Sequence, residues 1–416
     1  MKKRVPLYAL ILSGVVSNFG NTLTSLAIPW FVLETTNSPS AAGITAFFSI
    51  VPVVLAGLLG GPIIDRMGYK RVSIVSDLLS GVTVALIPLL HHTVGLQFWQ
   101  LQVLVFLGAF LDAPGGTARG AIIPELSQEA EMPLERTQSI RQVANQLAQL
   151  CSPLVGGVLI ALVGASNLLW VNAATFLVSA AAIAFGVPAR LVPAPAEAEG
   201  SGLAGYGKQL VEGLQFIRTD RVVLVVVLVS ALANFVLGQL DSVLLPTYGN
   251  QILNNPTALG TIMSVFSAGA LIGGALFGVV GPRLSRRAVY LGSFALQAVA
   301  LLGWALLPPL PFMVAFSVLF GFAFGPVSPL LGTLGAERVP PDMRGRVFGM
   351  MDALGWIAMP LGPLVGGFTV EAVGLQPTFL TLAVIYAGLS FIQFFSRSLR
   401  DMDRPTGARG PQEASD

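Results

Sequence analysis

Twelve mostly apolar stretches follow one another along this chain, each about as long as the roughly 20 residues that a helix needs to cross a bilayer. They fall at about 7–33, 41–64, 72–90, 98–118, 137–163, 167–187, 221–249, 257–280, 287–307, 311–334, 344–370 and 376–396. Inside lipid every backbone N–H and C=O must be satisfied within the structure, so runs of this length admit helices and exclude irregular chain. A soluble protein with buried core helices is ruled out by composition. With 11% charged and 54% hydrophobic residues and a mean hydropathy of +0.76, the solvent of this 416-residue chain is lipid. The expected fold class is an all-α membrane protein with twelve transmembrane helices. The first run, Leu7 to Leu33, is too long for a secretory h-region and reads as the first span. A lone Cys151 excludes an internal disulfide.

The chain repeats itself. Ser152-Pro-Leu-Val-Gly-Gly157 returns as Gly362-Pro-Leu-Val-Gly-Gly367. Asn18-Phe19 returns as Asn234-Phe235, Pro29 as Pro246, Ser38-Pro39 as Asn255-Pro256, Gly61-Pro62 as Gly281-Pro282, and Pro114 as Pro326. The order is kept and the offset stays between 210 and 220 residues, which argues for two homologous six-helix halves, a transporter architecture. The predicted organisation is a first bundle over 1–187, a linker over 188–220, a second bundle over 221–396 and a polar tail over 397–416. The linker opens on a Pro-Ala-Glu-Gly stretch of flexible character. In its second part Leu210, Leu214 and Ile217 recur at helical spacing, which predicts a short interfacial helix, with a plain extension of the seventh span as the alternative.

Lys and Arg fall in alternate loops, beginning with Lys2, Lys3 and Arg4 at the N-terminus, and only Arg141, a turn into the fifth span, lies outside that set. By the positive-inside rule both termini are expected in the cytoplasm. The net charge of +2 reports orientation and implies no nucleic-acid partner. Catalytic signals fail on inspection. Gly202 to Lys208 has P-loop spacing, yet Gln209 stands where Mg²⁺ chemistry needs Ser or Thr, and no strand precedes it. His91 and His92, expected in a short outer turn, have no Cys or acid cluster beside them to make a metal site. No enzyme activity, nucleotide site or cofactor is expected.

Between the second and third spans lies Gly61-Pro-Ile-Ile-Asp65-Arg66-Met-Gly68-Tyr-Lys70-Arg71. It resembles the signature of the major facilitator superfamily, departing at Tyr69, where a basic residue is common. The resemblance extends over the whole chain through twelve spans and a duplication. "APGGTARGAIIPEL" after the fourth span, "RGRVFGM" opening the eleventh and the fifth-span motif are similar to drug exporters of the macrolide-efflux and enterobactin-exporter branch. In that branch the fifth-span element is associated with export. Here Ser152, Pro153, Gly156 and Gly157 carry a degenerate form of it, Ser152 and Ala148 replacing glycines. The arginine that many family members carry early in the fourth span is absent from "LQVLVFLGAF". The resemblance implies that Asp65 locks the cytoplasmic side, with partners near Gly345 to Phe348 and at Arg119, so that Gly61, Asp65, Arg66, Gly68, Lys70, Arg71, Asp77 and Arg119 form a cytoplasmic gate. The physical logic agrees: a carboxylate at one helix end is stabilised by the positive N-terminus of another. "GPRLSRR" at 281–287, the second-half counterpart, has lost the acid.

An acid near the centre of a spanning helix costs about 2.5–3.5 kcal/mol on insertion scales, so such a residue is a functional candidate. Asp112 and Asp241 are the preferred proton carriers, with Glu34 and Asp352 as further candidates. Asp112 aligns with Phe324, and Asp241 with Thr24 or Ser25, so packing shared by both halves does not explain either acid. Desolvation disfavours a carboxylate's charge, which suits a group that loads and releases protons. Asp77, near Arg71 and Arg119, reads as an ion-pair partner. Arg141, Gln142, Asn145, Gln146 and Gln149 form a polar stripe, all but Arg141 at i, i+3, i+4 and i+7, either a cavity wall or interhelical glue. Asn18, Asn21, Asn234 and Gln239 offer similar polarity, while Trp30, Phe235, Trp356 and Met359 are candidates for an apolar lining.

The expected protein is a monomeric exporter in a bacterial inner membrane, in which two halves rock about a central cavity and exchange protons, the coupling ion, for an amphipathic small molecule. A drug and an endogenous metabolite such as a siderophore need the same apparatus. A proton-independent uptake carrier would make Asp112 and Asp241 dispensable, and a scaffold or lipid translocase would move no soluble substrate.

Overall fold

The computed structural model describes residues 4–188, 203–340, 343–395 and 402, and leaves out the side chains of 57–63, 65, 66 and 203–210. All regular structure among these residues is helical, and twelve helical stretches are long and apolar enough to cross a bilayer. The helices are α1 (Val5–Thr36), α2 (Pro39–Met67), α3 (Tyr69–Thr93), α4 (Phe98–Glu129), α5 (Leu134–Val163) and α6 (Ala165–Gly186). They continue with α7 (Leu203–Thr219), α8 (Arg221–Gln239), α9 (Pro256–Val280), α10 (Arg286–Ala305), α11 (Leu310–Phe324), α12 (Val327–Arg338), α13 (Arg344–Trp356), α14 (Leu361–Val373) and α15 (Leu375–Phe395).

Two features depart from the expected spans. Helix α4 continues about a dozen residues past 118, because Arg119 and Pro124 do not end it: Arg119 is buried among polar partners. Helix α3 runs to Thr93, so His91 and His92 lie in its last turn and not in a loop, where His92 Nε2 meets Asn167 Oδ1 at 3.1 Å. The end of the seventh span is irregular. After Gln239 the chain passes through π-helical turns at Leu240–Leu244 and Tyr248–Ile252, on either side of Pro246. A proline interrupts the i→i−4 ladder, and π-turns of this kind are frequent at functional sites.

Two compact units are present. One comprises Met1–Glu197, Gln239–Ser264 and Pro363–Glu371. Here α1 packs on α5 and α6, α3 on α4 and α6, and α2 on α4. The other comprises Ala198–Gly238, Val265–Gly362 and Ala372–Asp416. In it α10 packs on α11 and α15 around an aromatic cluster of Tyr290, Phe294, Trp304, Phe320, Phe379 and Tyr386. The linker helix α7 is separate from α8, since Asp220 Oδ1 caps the new helix by accepting from Val222 N at 2.8 Å. Ile217 is buried with Val223, Val227, Val339 and Val347, and Arg346 pairs with Glu212 at 2.7 Å, so α7 is docked on α13. The first part of the predicted linker and most of the predicted tail lie outside the described residues.

Candidate functional site

Three helix faces converge in the first unit. On α1, Leu10, Gly14, Ser17, Asn18 and Asn21 recur at helical spacing. On α4, Asp112, Gly116, Arg119 and Ile123 do the same, and on α5 the stripe is Arg141, Gln142, Asn145, Gln146 and Gln149. Together they line one cavity of about 380 Å³. It lies in the halves of the three helices nearer the N-terminal end of α1. The glycines keep α1 and α4 low, while the amides of α5 supply donors and acceptors around the space. Polar groups on a spanning helix are costly against lipid and are placed here on water or protein.

A charge cluster forms one wall of this cavity. Arg119 is 8% exposed and donates from Nη1 to Asp77 Oδ1 at 2.7 Å, while its Nη2 lies 3.4 Å from Ser17 Oγ. Asp77, fully buried, also accepts from Ser179 Oγ at 2.6 Å. Asp112 lies two helical turns from Arg119 on the same face of α4. Its Oδ2 accepts from Asn21 Nδ2 at 2.7 Å, and its Oδ1 is 3.8 Å from Arg119 Nη2 but accepts no hydrogen bond. Arg119 is thus shared by two acids, which leaves the cluster formally one negative charge in excess. Asp77 is tied down from two sides, and Asp112 has a free acceptor next to the cavity.

The other candidates are placed differently. Asp241 lies in the first π-turn, partly buried, and has no hydrogen-bond partner among the described residues. Glu34 is exposed in the last turns of α1, and Asp352 is exposed on α13 without a basic partner among the described residues: Arg346 is engaged by Glu212, and Arg344 donates to the Ala336 and Val339 carbonyls. Trp30 is core and not cavity lining, because its ring lies against the position of Gly249 and is 5% exposed. Gln239 is likewise buried against Gly366, and Asn234 donates to the Gly355 carbonyl at 3.0 Å, a helix-to-helix bond. Phe235, Met359 and the exposed Trp356 are not among the cavity's lining residues.

Of the predicted gate, Gly61, Asp65 and Arg66 have side chains outside the described residues. Gly68 joins α2 to α3 at φ +79°, where a Cβ would be strained. Lys70 caps a helix: its Nζ donates to the Ala184 and Val187 carbonyls at 2.8 and 2.5 Å, at the negative end of α6. Arg71 is exposed.

The repeated glycine-proline motifs meet one another in the half away from the cavity. A Cβ built on Gly157 would overlap the Pro256 carbonyl, and one on Gly260 would overlap the Pro153 carbonyl. Correspondingly, one on Gly43 would overlap the Pro363 carbonyl and one on Gly367 the Pro39 carbonyl. Each copy of Pro-x-x-Gly-Gly therefore closes on the first turns of a Pro-x-x-x-Gly helix, backbone against backbone. Leu154 N donates to Ser264 Oγ at 3.0 Å across the first seam. Ser152, fully buried, donates to the Ala148 carbonyl at 2.5 Å and fits where the pattern calls for glycine.

Sequence reasoning missed Ser17 and Ser179, which complete the charge cluster and carry no signal beyond being small and polar. The position of Arg119 on the face of Asp112 was available from their seven-residue spacing.

Comparison with known proteins matches residues 10–255 and 232–415 to the Major Facilitator Superfamily. Multidrug efflux pump Tap of Mycolicibacterium fortuitum is 34% identical over 410 residues, covering 96% of this chain and 98% of that protein. Macrolide efflux protein A of Streptococcus pyogenes is 20% identical over 403 residues, covering 96% and 98%. Among solved structures the nucleoside transporter NupG is similar with a TM-score of 0.77 at 16% identity, covering 95% of this chain and 98% of that chain. That likeness shows the fold alone.

Proposed function

Since the chain belongs to the major facilitator superfamily, we propose that it is a proton-coupled exporter of amphipathic organic molecules, working by alternating access in a bacterial cytoplasmic membrane with both termini inside. The efflux relatives support export of drugs, and the alternation of Lys and Arg supports the orientation. The observation that carries the coupling is Asp112, a carboxylate on the cavity wall with Asn21 on one oxygen and no hydrogen bond on the other.

In this reading, substrate enters from the cytoplasm, is held by the amides of α5, and sets a donor or cationic centre against Asp112. A proton arriving when the cavity faces outward removes the charge of Asp112 and weakens that contact, so substrate leaves outward and the proton is carried in. Arg119 keeps the two acids from being equivalent: Asp77 stays locked and Asp112 exchanges. Asp241, in its π-turn, is a second station for the proton. One charge crossing a potential of 100 mV supplies about 2.3 kcal/mol, enough for roughly a fifty-fold gradient of a neutral substrate.

Dye or drug flux in proteoliposomes under an imposed pH gradient tests this. Wild type should accumulate substrate against its gradient. Asp112→Asn should equilibrate substrate without concentrating it, and normal accumulation by that variant would refute the role of Asp112. Equilibration by wild type that ignores the pH gradient would replace the antiporter with a facilitated carrier.

A further inference from the structure

Glu371, in the last turn of α14, accepts from Ser38 Oγ at 2.9 Å and from Ser40 N at 3.2 Å, both at the start of α2. Ser38 is also the N-cap of that helix, accepting from Ala41 N at 3.2 Å, so the carboxylate sits on the positive end of α2 through its cap. Directly beneath is one of the two repeated approaches, Gly43 against Gly367, where a Cβ on either glycine would overlap a backbone carbonyl of the other helix. The duplication isolates the acid. At the offset of 210 residues that relates the two Pro-x-x-Gly-Gly copies, Glu371 corresponds to Ala161, while Asn255, the counterpart of Ser38, only caps its own helix by accepting from Ala258 N at 3.1 Å. Both seams close without an acid at one of them, so glycine packing does not require Glu371. No Lys or Arg is placed in the loops at this end of the chain's spans, so the dipole and hydroxyls of α2 are the partners on offer.

We propose that Glu371 is the outer latch of the transport cycle, a positioning residue whose carboxylate holds the end of α14 on the first turn of α2 and releases it when the cavity opens outward. The proposal rests on the alternating-access reading above. It gives α2 and α14 an antisymmetric pair of acids: Asp65 at the C-terminal end of α2 for the inner side, and Glu371 at the C-terminal end of α14 for the outer side.

The test places a single cysteine by Ala46→Cys, one turn below Gly43 and buried, in a Cys151→Ser background, and follows labelling by a membrane-impermeant maleimide added outside intact cells. Glu371→Gln should raise the labelling rate about two- to tenfold, the scale of one or two lost hydrogen bonds. Ser38→Ala should raise it in the same direction, and Glu371→Asp should restore part of the protection. Labelling at the parental rate in both Glu371→Gln and Ser38→Ala overturns the latch. Should Glu371→Gln fail to reach the membrane, Ser38→Ala alone decides. Drug efflux from the same cells separates the two readings: unchanged labelling with active efflux removes the latch and leaves the exporter, whereas raised labelling without efflux of any drug from the parent keeps the latch and removes the exporter.

Discussion

Replacing Arg119 by Met removes the one cation in contact with two acids and keeps a side chain that suits a helix. At an effective dielectric of about 20, unit charges 2.7 Å apart, as Arg119 and Asp77 are, attract by about 6 kcal/mol. Most of that is set against the desolvation of both groups, so the pair's net worth over a neutral packing is small, but removal of one partner leaves the other charge buried. Asp77 is fully buried and among the described residues would keep Ser179 alone as a donor, at 2.6 Å. The expected loss for Arg119→Met is about 3–5 kcal/mol, a large part of a typical total stability of about 5–15 kcal/mol. Removing both charges with Asp77→Asn and Arg119→Met should recover most of it, since neutral replacement of a buried pair is often tolerated. Purified protein in detergent, heated stepwise and followed by loss of the monodisperse species, gives the order wild type, double variant, single variant. A single variant within about 1 kcal/mol of wild type, or a double variant no better than the single, would show that water screens the pair and that the desolvation reasoning fails.

Three further outcomes follow from the geometry. Gly157→Val forces a side chain into the Pro256 carbonyl, so transport should fall by more than tenfold while the protein still reaches the membrane; unchanged transport would mean that the seam is not part of the cycle. Lys70→Met removes the donor to the Ala184 and Val187 carbonyls and should cost about 0.3–1 kcal/mol of thermal stability with little effect on drug Km, and a Km change without a stability change would return Lys70 to the gate. Gln149→Leu deletes one cavity amide and should raise the Km of a hydrogen-bonding drug about two- to tenfold while leaving maximal rate within twofold, as read from concentration-dependent efflux.

The helical architecture was legible because lipid leaves so few solutions: length and apolarity of each run decide its structure almost alone. The α5 stripe was legible for the same reason, since four amides at i, i+3, i+4 and i+7 with Arg141 beside them are costly against lipid, and all five line the cavity together. Distance between helices is what a single sequence does not carry. Trp30 and Gln239 resemble cavity residues in type, yet each is packed against a glycine of a distant segment. Lys70 looked like part of a gate because its motif is contiguous, while its partners are the last carbonyls of α6, more than a hundred residues away. The duplicated motifs gave away the two halves, but that the copies of one motif close on the copies of the other required coordinates.

The central claim is that drug and proton compete at Asp112. The direct measurement is the pH change of a weakly buffered detergent solution of purified protein when a drug substrate is added. Wild type should release about half a proton per drug bound at the midpoint of its binding pH profile, rising toward about one below it, Asp241→Asn should still release on binding, and Asp112→Asn should bind without release. Release that persists undiminished in Asp112→Asn would contradict the account.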